Sequence, residues 1–254
     1  MPALGRRRIG AAARDAPFEP TKSESITYDA VVFDIDGTLW NASSASAKGW
    51  NLGLKSLGMH QRVTAEQMES VAGNTYERCV DILPPGERAK HPELLNVLNK
   101  FETEVVTTDG GKFYDGVVDG IIRLAHDYRI FLISNCQEWY LSLFLQSSQL
   151  GPALSGADCH GVLSLSKDEM LARMRRNHSL KNPVYVGDTA SDAKAAALAG
   201  IAFIHVTWGF GKPEGAARTV HSFAELLDCL KGTTDRNGSN KTVHPTSQNS
   251  TRRG

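Results

Sequence analysis

The chain has 254 residues, 41% of them hydrophobic, enough to bury one substantial core and leave room for a second small domain. Lysine plus arginine equals aspartate plus glutamate at 28 each, so no general field favours a nucleic acid polymer or an anionic membrane. No apolar run approaches the roughly 20 residues that span a bilayer, no secretory signal opens the chain, and Cys79, Cys136, Cys159 and Cys229 lack the spacing of a zinc site or a disulfide framework. The expected setting is a reducing, cytoplasmic one with free thiols.

Residues 1–25 combine Arg6, Arg7, Arg8, an alanine run, Pro17 and Pro20, and read as a disordered N-terminal tail. With four arginines and no acid before Asp15, the segment also resembles an organelle transit peptide, the alternative to a cytoplasmic setting. The first buried strand is expected over 30–35, an apolar run that leads into Asp34-Ile35-Asp36-Gly37-Thr38. Strand side chains repeat with period two, so Asp34 and Asp36 leave the sheet on one side of the chain, and Gly37 permits a tight turn after them. One carboxylate can then act as a nucleophile while its neighbour protonates a leaving oxygen and later deprotonates water. The alternative is a plain Asp-Gly turn whose acids accept local hydrogen bonds.

From 42 to 109 the pattern is helical without a convincing strand, with apolar positions at Leu52, Leu54, Leu57, Met68, Val71, Leu94, Leu95, Leu98, Phe101 and Val105. An insert that leaves the sheet beside paired acids is placed to close over them and expel water. Beyond it, 110–231 alternates strands expected over 129–134, 183–187 and 201–206 with helices expected over 117–128, 137–149, 167–177 and 190–199, the last stopped by Gly200. Together with 26–41 this forms an α/β core, which right-handed crossovers stack into one sheet. Residues 232–254, rich in Thr, Asn and Ser, read as a second disordered tail.

Open sheets of this kind bind ligands at the carboxyl ends of their strands, so the residues just after each apolar run are the ones to inspect. Ser134 can donate a hydroxyl to a phosphoryl oxygen, with the Asn135 backbone beside it. Lys167 opens a helix, where a fixed ammonium can neutralise a phosphate and a nucleophilic carboxylate together. Gly187-Asp188 and Asp192 put two more acids after a strand. Asp188, with Asp34 and the Asp36 carbonyl, supplies the sparse oxygen set of a water-rich Mg²⁺ site.

Asp34-x-Asp36-Gly37-Thr38, then Ser134, then Lys167, then Gly187-Asp188-x-x-x-Asp192, in that order, resemble the four motifs of the haloacid dehalogenase-like hydrolases. The resemblance spans roughly residues 28–231 and points to the phosphoglycolate-phosphatase-like branch, which has a helical cap after the first motif. It implies a doubly wound, mainly parallel, Rossmann-like sheet with an α-helical cap, and a phosphatase that hydrolyses a small phosphorylated metabolite through an aspartyl-phosphate. It also implies roles: Asp34 as nucleophile, Asp36 as general acid and then base, and Ser134, Asn135 and Lys167 on the transferring phosphoryl group. Mg²⁺ would be held by Asp34, Asp36 through its carbonyl, and Asp188, with Asp192 supporting the metal shell or orienting Lys167.

Family resemblance permits phosphoglycolate, sugar phosphates or nucleotides, and selection falls to the cap. Its expected contacts are Trp40, Asn41 and 73–78, where Arg78 would meet a second anionic group; Trp139 and Trp208 stand at the rim. A phosphomutase and a noncatalytic binding protein of the same fold remain as alternatives, and the motifs do not separate mutase from phosphatase. A dehalogenase needs neither Asp36 nor Asp188, and a phosphorylated receiver domain leaves the helical insert unexplained.

Overall fold

The computed structural model describes residues 28–213 and 218–231. Both expected tails, 1–25 and 232–254, lie outside the described residues. The strands are β1 (Ala30–Phe33), β2 (Trp40–Asn41), β3 (Lys112–Phe113), β4 (Arg129–Ser134), β5 (Gly156–Cys159), β6 (Pro183–Gly187), β7 (Ala202–Val206) and β8 (Arg218–Val220). The helices are α1 (Ser43–Ser56), α2 (Ala65–Val71), α3 (Tyr76–Cys79), α4 (Glu87–Lys90), α5 (Leu94–Asp109), α6 (Val117–Leu124), α7 (Glu138–Ser148), α8 (His160–Leu163), α9 (Lys167–Asn177), α10 (Ala190–Ala199) and α11 (Phe223–Leu230).

Six strands form one wholly parallel sheet in the order β5-β4-β1-β6-β7-β8. The central strand β1 reads Ala-Val-Val-Phe and is buried on both faces, as a parallel strand between helical layers must be. Its side chains alternate accordingly. Val31 and Phe33 pack with Ile121, Phe144, Phe223 and Leu226 of α6, α7 and α11, whereas Ala30 and Val32 pack with Met170, Leu171, Ala195 and Ala196 of α9 and α10. The sheet is therefore doubly wound, with two crossings at β1 that bring its C-terminal end to the switch in strand order.

The sheet is wider than the sequence suggests. Strands β5, Gly-Ala-Asp-Cys, and β8, Arg-Thr-Val, are short edges without an apolar run, so periodicity gives no sign of them, and α11 was likewise not anticipated. The first strand also ends at Phe33 rather than 35, although the Asp34 N–H still donates to the Val186 carbonyl at 3.0 Å. That bond carries the ladder one residue further and fixes where Asp34 stands.

Helices α1 to α5 leave the sheet between β2 and β3, which pair antiparallel so that the outgoing and returning chains lie side by side. They hold a core of their own around Trp50, Leu54, Met68, Leu94 and Leu98. Within it α1 and α5 approach closely: a Cβ on Gly49 would lie 2.6 Å from the Glu102 Cα, so only glycine fits. Among the described residues no helix is long and apolar enough to cross a membrane.

Candidate active site

The four sequence motifs converge at the C-terminal ends of β1, β4 and β6 and at the first turns of α9 and α10. Lys167 is the first residue of α9, started by a Ser166–Glu169 capping box, and Asp192 is the third residue of α10, where it closes a box with Thr189. Local capping chemistry thus aims both side chains at Asp34.

Lys167 Nζ donates to Asp34 Oδ1 at 2.8 Å and to Asp192 Oδ1 at 2.6 Å, with all three side chains buried. Asp192 is the better satisfied acid, since it also accepts from Tyr185 Oη at 3.1 Å and from the Thr189 N–H and hydroxyl at 2.9 and 2.6 Å. Burial works to raise its carboxyl, but the Lys167 ammonium and the Thr189 bonds outweigh it and hold the group below the ordinary range. Asp34 has the opposite balance. Burial raises it above the ordinary range against the pull of Lys167, and its Oδ2 is buried without a hydrogen-bond partner among the described residues. On Lys167 burial is outweighed by its two carboxylates, and the ammonium is held firmly protonated.

Asp188 is fully buried and accepts from Thr38 Oγ1 at 3.1 Å and from the Phe210 N–H at 2.7 Å. Burial, reinforced by the Asp192 charge, pushes it up to about 6. Gly37 turns the chain at φ +78°, and a Cβ on Gly37 or Gly209 would come within 2.3 or 2.5 Å of Asp188 Oδ2. Carboxylate oxygens of Asp34, Asp188 and Asp192 all lie within 4.8 Å of one another. A glycine-walled nest of hard oxygen donors, one of them orphaned, fits a small divalent cation such as Mg²⁺.

Asp36 accepts a short hydrogen bond from Tyr140 Oη, and the Trp40 indole N–H in turn donates to that phenol at 3.0 Å. Burial pushes Asp36 up to about 7, with the Tyr140 bond acting the other way. Ser134 ends β4, accepts from the Cys136 N–H at 3.2 Å and lines the same cavity as Asp36. Asn135 donates through Nδ2 to the Gly73 carbonyl at 2.8 Å, linking the sheet end to the cap, while its Oδ1 is buried and unpartnered.

The cap expectations fare unevenly. Trp40 is wholly buried against Phe113, Tyr140 and Phe144 and does not line the cavity, so it reaches the site only through Tyr140 and is no ligand contact. The reason is its place on β2, whose pairing with β3 turns the indole into the core. Arg78 is exposed and lines an adjoining cleft with Lys167 and Lys194 instead of the cavity over Asp36. Trp139 does line the cavity and donates to Asn99 Oδ1 on α5 at 2.9 Å, whereas Trp208 lies outside it and donates to the Thr38 carbonyl.

Two residues at the site have no motif in the sequence reading. Tyr140 sits on α7 about a hundred positions from Asp36, and nothing local announces the contact. Glu102 did leave a signal: it interrupts the buried stripe of α5 between Leu98 and Val105.

Residues 31–206 match the model of the haloacid dehalogenase-like hydrolase family. A phosphoglycolate phosphatase of Rhodobacter capsulatus is 26% identical over 220 residues, covering 81% of this chain and 98% of that protein. Among solved structures, a haloacid dehalogenase-like family hydrolase from Streptococcus pneumoniae superposes with a TM-score of 0.69 at 18% identity, covering 79% of this chain and 97% of its own. A predicted phosphoglycolate phosphatase from Haemophilus somnus does so with a TM-score of 0.68 at 20% identity, covering 82% and 98%.

Proposed function

The chain belongs to the haloacid dehalogenase-like hydrolases, and from that premise we propose that it is a Mg²⁺-dependent phosphatase acting on a small phosphorylated metabolite through an aspartyl-phosphate on Asp34. The observation that carries this reading is Asp34 Oδ2, a buried carboxylate oxygen with no partner beside a lysine ammonium that holds its twin. An oxygen so placed is free to attack.

Attack on phosphorus forms the Asp34 O–P bond and breaks the ester P–O bond. The departing alcohol oxygen takes its proton from Asp36, whose carboxyl is substantially protonated near neutrality because burial has raised it to about 7. Asp36, now ionised and steadied by Tyr140, then accepts a proton from water as the water attacks the aspartyl-phosphate; phosphate departs and the Asp34 carboxylate is restored. Ser134, the Asn135 backbone N–H and Lys167 hold the equatorial phosphoryl oxygens. Asp34, the Asp36 carbonyl and Asp188 would hold Mg²⁺, which when bound offsets the repulsion between an anionic nucleophile and an anionic ester. Asp192 acts through Lys167, whose ammonium it fixes.

The test is phosphate release from a panel of phosphomonoesters with and without Mg²⁺, in the wild type and in Asp34→Asn. Release that needs Mg²⁺ and vanishes in the variant is the expected result; comparable release by Asp34→Asn would overturn the mechanism.

A further inference from the structure

Between the sheet edge and the cap lies a cavity of about 90 Å³, bounded by Asp36, Ser134 and Asn135 on the sheet side and by Ser46, Tyr76 and Glu102 on the cap side. The cavity is half open to solvent.

Two acids, Asp36 and Glu102, line this cavity, and its other polar side chains are neutral. Glu102 is 6% exposed and accepts from the Trp50 indole N–H at 2.7 Å, yet has no ion-pair partner among the described residues. Burial pushes its carboxyl above the ordinary range, with Ser46, Trp50 and Tyr76 opposing, as expected of an acid whose charge lacks a counter-ion. Asn135 is 8% exposed; its amide nitrogen is committed to the Gly73 carbonyl, which leaves Oδ1 as a buried acceptor with nothing to accept. The buried Tyr76 hydroxyl lies beside Glu102 without a well-formed hydrogen bond among the described residues. Among the described residues no lysine, arginine or histidine lines the cavity. Lys167, Arg78 and Lys194 line the adjoining cleft, which shares only Gly73, Asn74 and Asn135 with it.

An unmet amide acceptor and an acid without a counter-ion beside the cavity ask for a ligand that donates hydrogen bonds, and they penalise one that brings another negative charge. Resting on the phosphatase reading, we infer that the alcohol released from the substrate is small, presents an ammonium or hydroxyl donor to Glu102 and Asn135, and carries no second anionic group. A carboxylate such as that of phosphoglycolate would face Glu102 with no cation in the cavity to meet it.

The experiment measures binding and turnover separately. Ethanolamine phosphate, glycerol phosphate and phosphoglycolate are titrated calorimetrically, with Mg²⁺, into the Asp34→Asn chain and into the same chain carrying Glu102→Gln; the wild type is assayed for hydrolysis of all three. The inference predicts that the better of the two donor-bearing esters binds at least about tenfold more tightly than phosphoglycolate, and that Glu102→Gln narrows the gap. A loss confined to ethanolamine phosphate assigns the ammonium as the group received, and a loss shared with glycerol phosphate assigns the hydroxyl. Phosphoglycolate binding most tightly, no measurable binding of any ester, or a preference indifferent to Glu102→Gln would each overturn it. If phosphoglycolate binding is strong and disappears in Arg78→Ala, the second anion lies in the adjoining cleft and the inference is again wrong. Should the binding preference hold while the wild type hydrolyses nothing, the phosphatase reading fails and the pocket assignment stands; hydrolysis without preference gives the converse.

Discussion

The sheet end and the cap face each other across one cavity, yet they are built by different means. At the sheet end every functional side chain follows a strand or opens a helix, and local turns fix the chain there, as in the Thr189–Asp192 box and the Gly37 turn. In the cap the polar groups come from two helices held together by packing: Glu102 is placed by the close approach of α1 to α5, and Tyr76 by the short helix α3. On the sheet side Asp34 Oδ2 and Asn135 Oδ1 lack partners among the described residues, while on the cap side Tyr76 and Glu102 border the cavity. A surface that performs one invariant step can be fixed by local chemistry. A surface that chooses among alcohols is set by which helices pack, and its chemistry can change without disturbing the sheet.

The contrast is broken most severely by Lys167→Met, which leaves Asp34 and Asp192 as buried acids without their shared ammonium. Loss of one partner from such a cluster should cost about 3–5 kcal/mol in chemical denaturation and at least about a hundredfold in kcat. An equally stable and active variant would remove the sheet-end half of the comparison.

Tyr140→Phe comes next, and it sharpens the role of Asp36. The phenol donates to the ionised carboxylate, so its loss should raise the Asp36 pKa from about 7 by roughly one to two pH units, the equivalent of a hydrogen bond to a charged group. The alkaline limb of the kcat profile, where the general acid loses its proton, should therefore move to higher pH as kcat itself falls. An unmoved limb would show that Tyr140 serves packing alone.

On the cap side, Gly49→Ala forces α1 away from Glu102. The expected cost is about 1–3 kcal/mol, with a change in preference among esters and little change in rate on the smallest one. An unaltered preference would argue that α1–α5 spacing does not set the pocket.

The smallest effect is the pH dependence of stability on replacing Glu102 with Gln. Because the folded state raises the Glu102 pKa, it holds the proton more tightly than the unfolded chain does, so that contribution is complete in acid and is lost as pH rises through and above the ordinary carboxylate range. Glu102→Gln should thus gain on the wild type in thermal melts as pH rises above the ordinary carboxylate range. A gap that narrows with rising pH would mean that Glu102 carries a paired charge.

The same difference explains what the sequence revealed. Asp34, Asp36, Lys167, Asp188 and Asp192 each stand at a junction that period-two alternation or a capping pattern marks, and the structure brings them into one cluster. The strands 129–134 and 183–187 and the helices 167–177 and 190–199 agree with their expected bounds for that reason. Edge strands β5 and β8 escaped because an edge needs no apolar run. Trp40 was misplaced because a tryptophan just beyond a motif reads equally as rim or core, and only the β2–β3 pairing decides. Tyr140 depends on a contact across the fold that no local pattern encodes.

The most direct test of the central claim is to quench the wild type in acid during turnover of its best ester and map the protein by mass spectrometry. The account predicts one added phosphoryl group on the peptide containing Asp34, labile to base and absent from Asp34→Asn. Turnover with no phosphoryl group on Asp34, or with one on another residue, would contradict it.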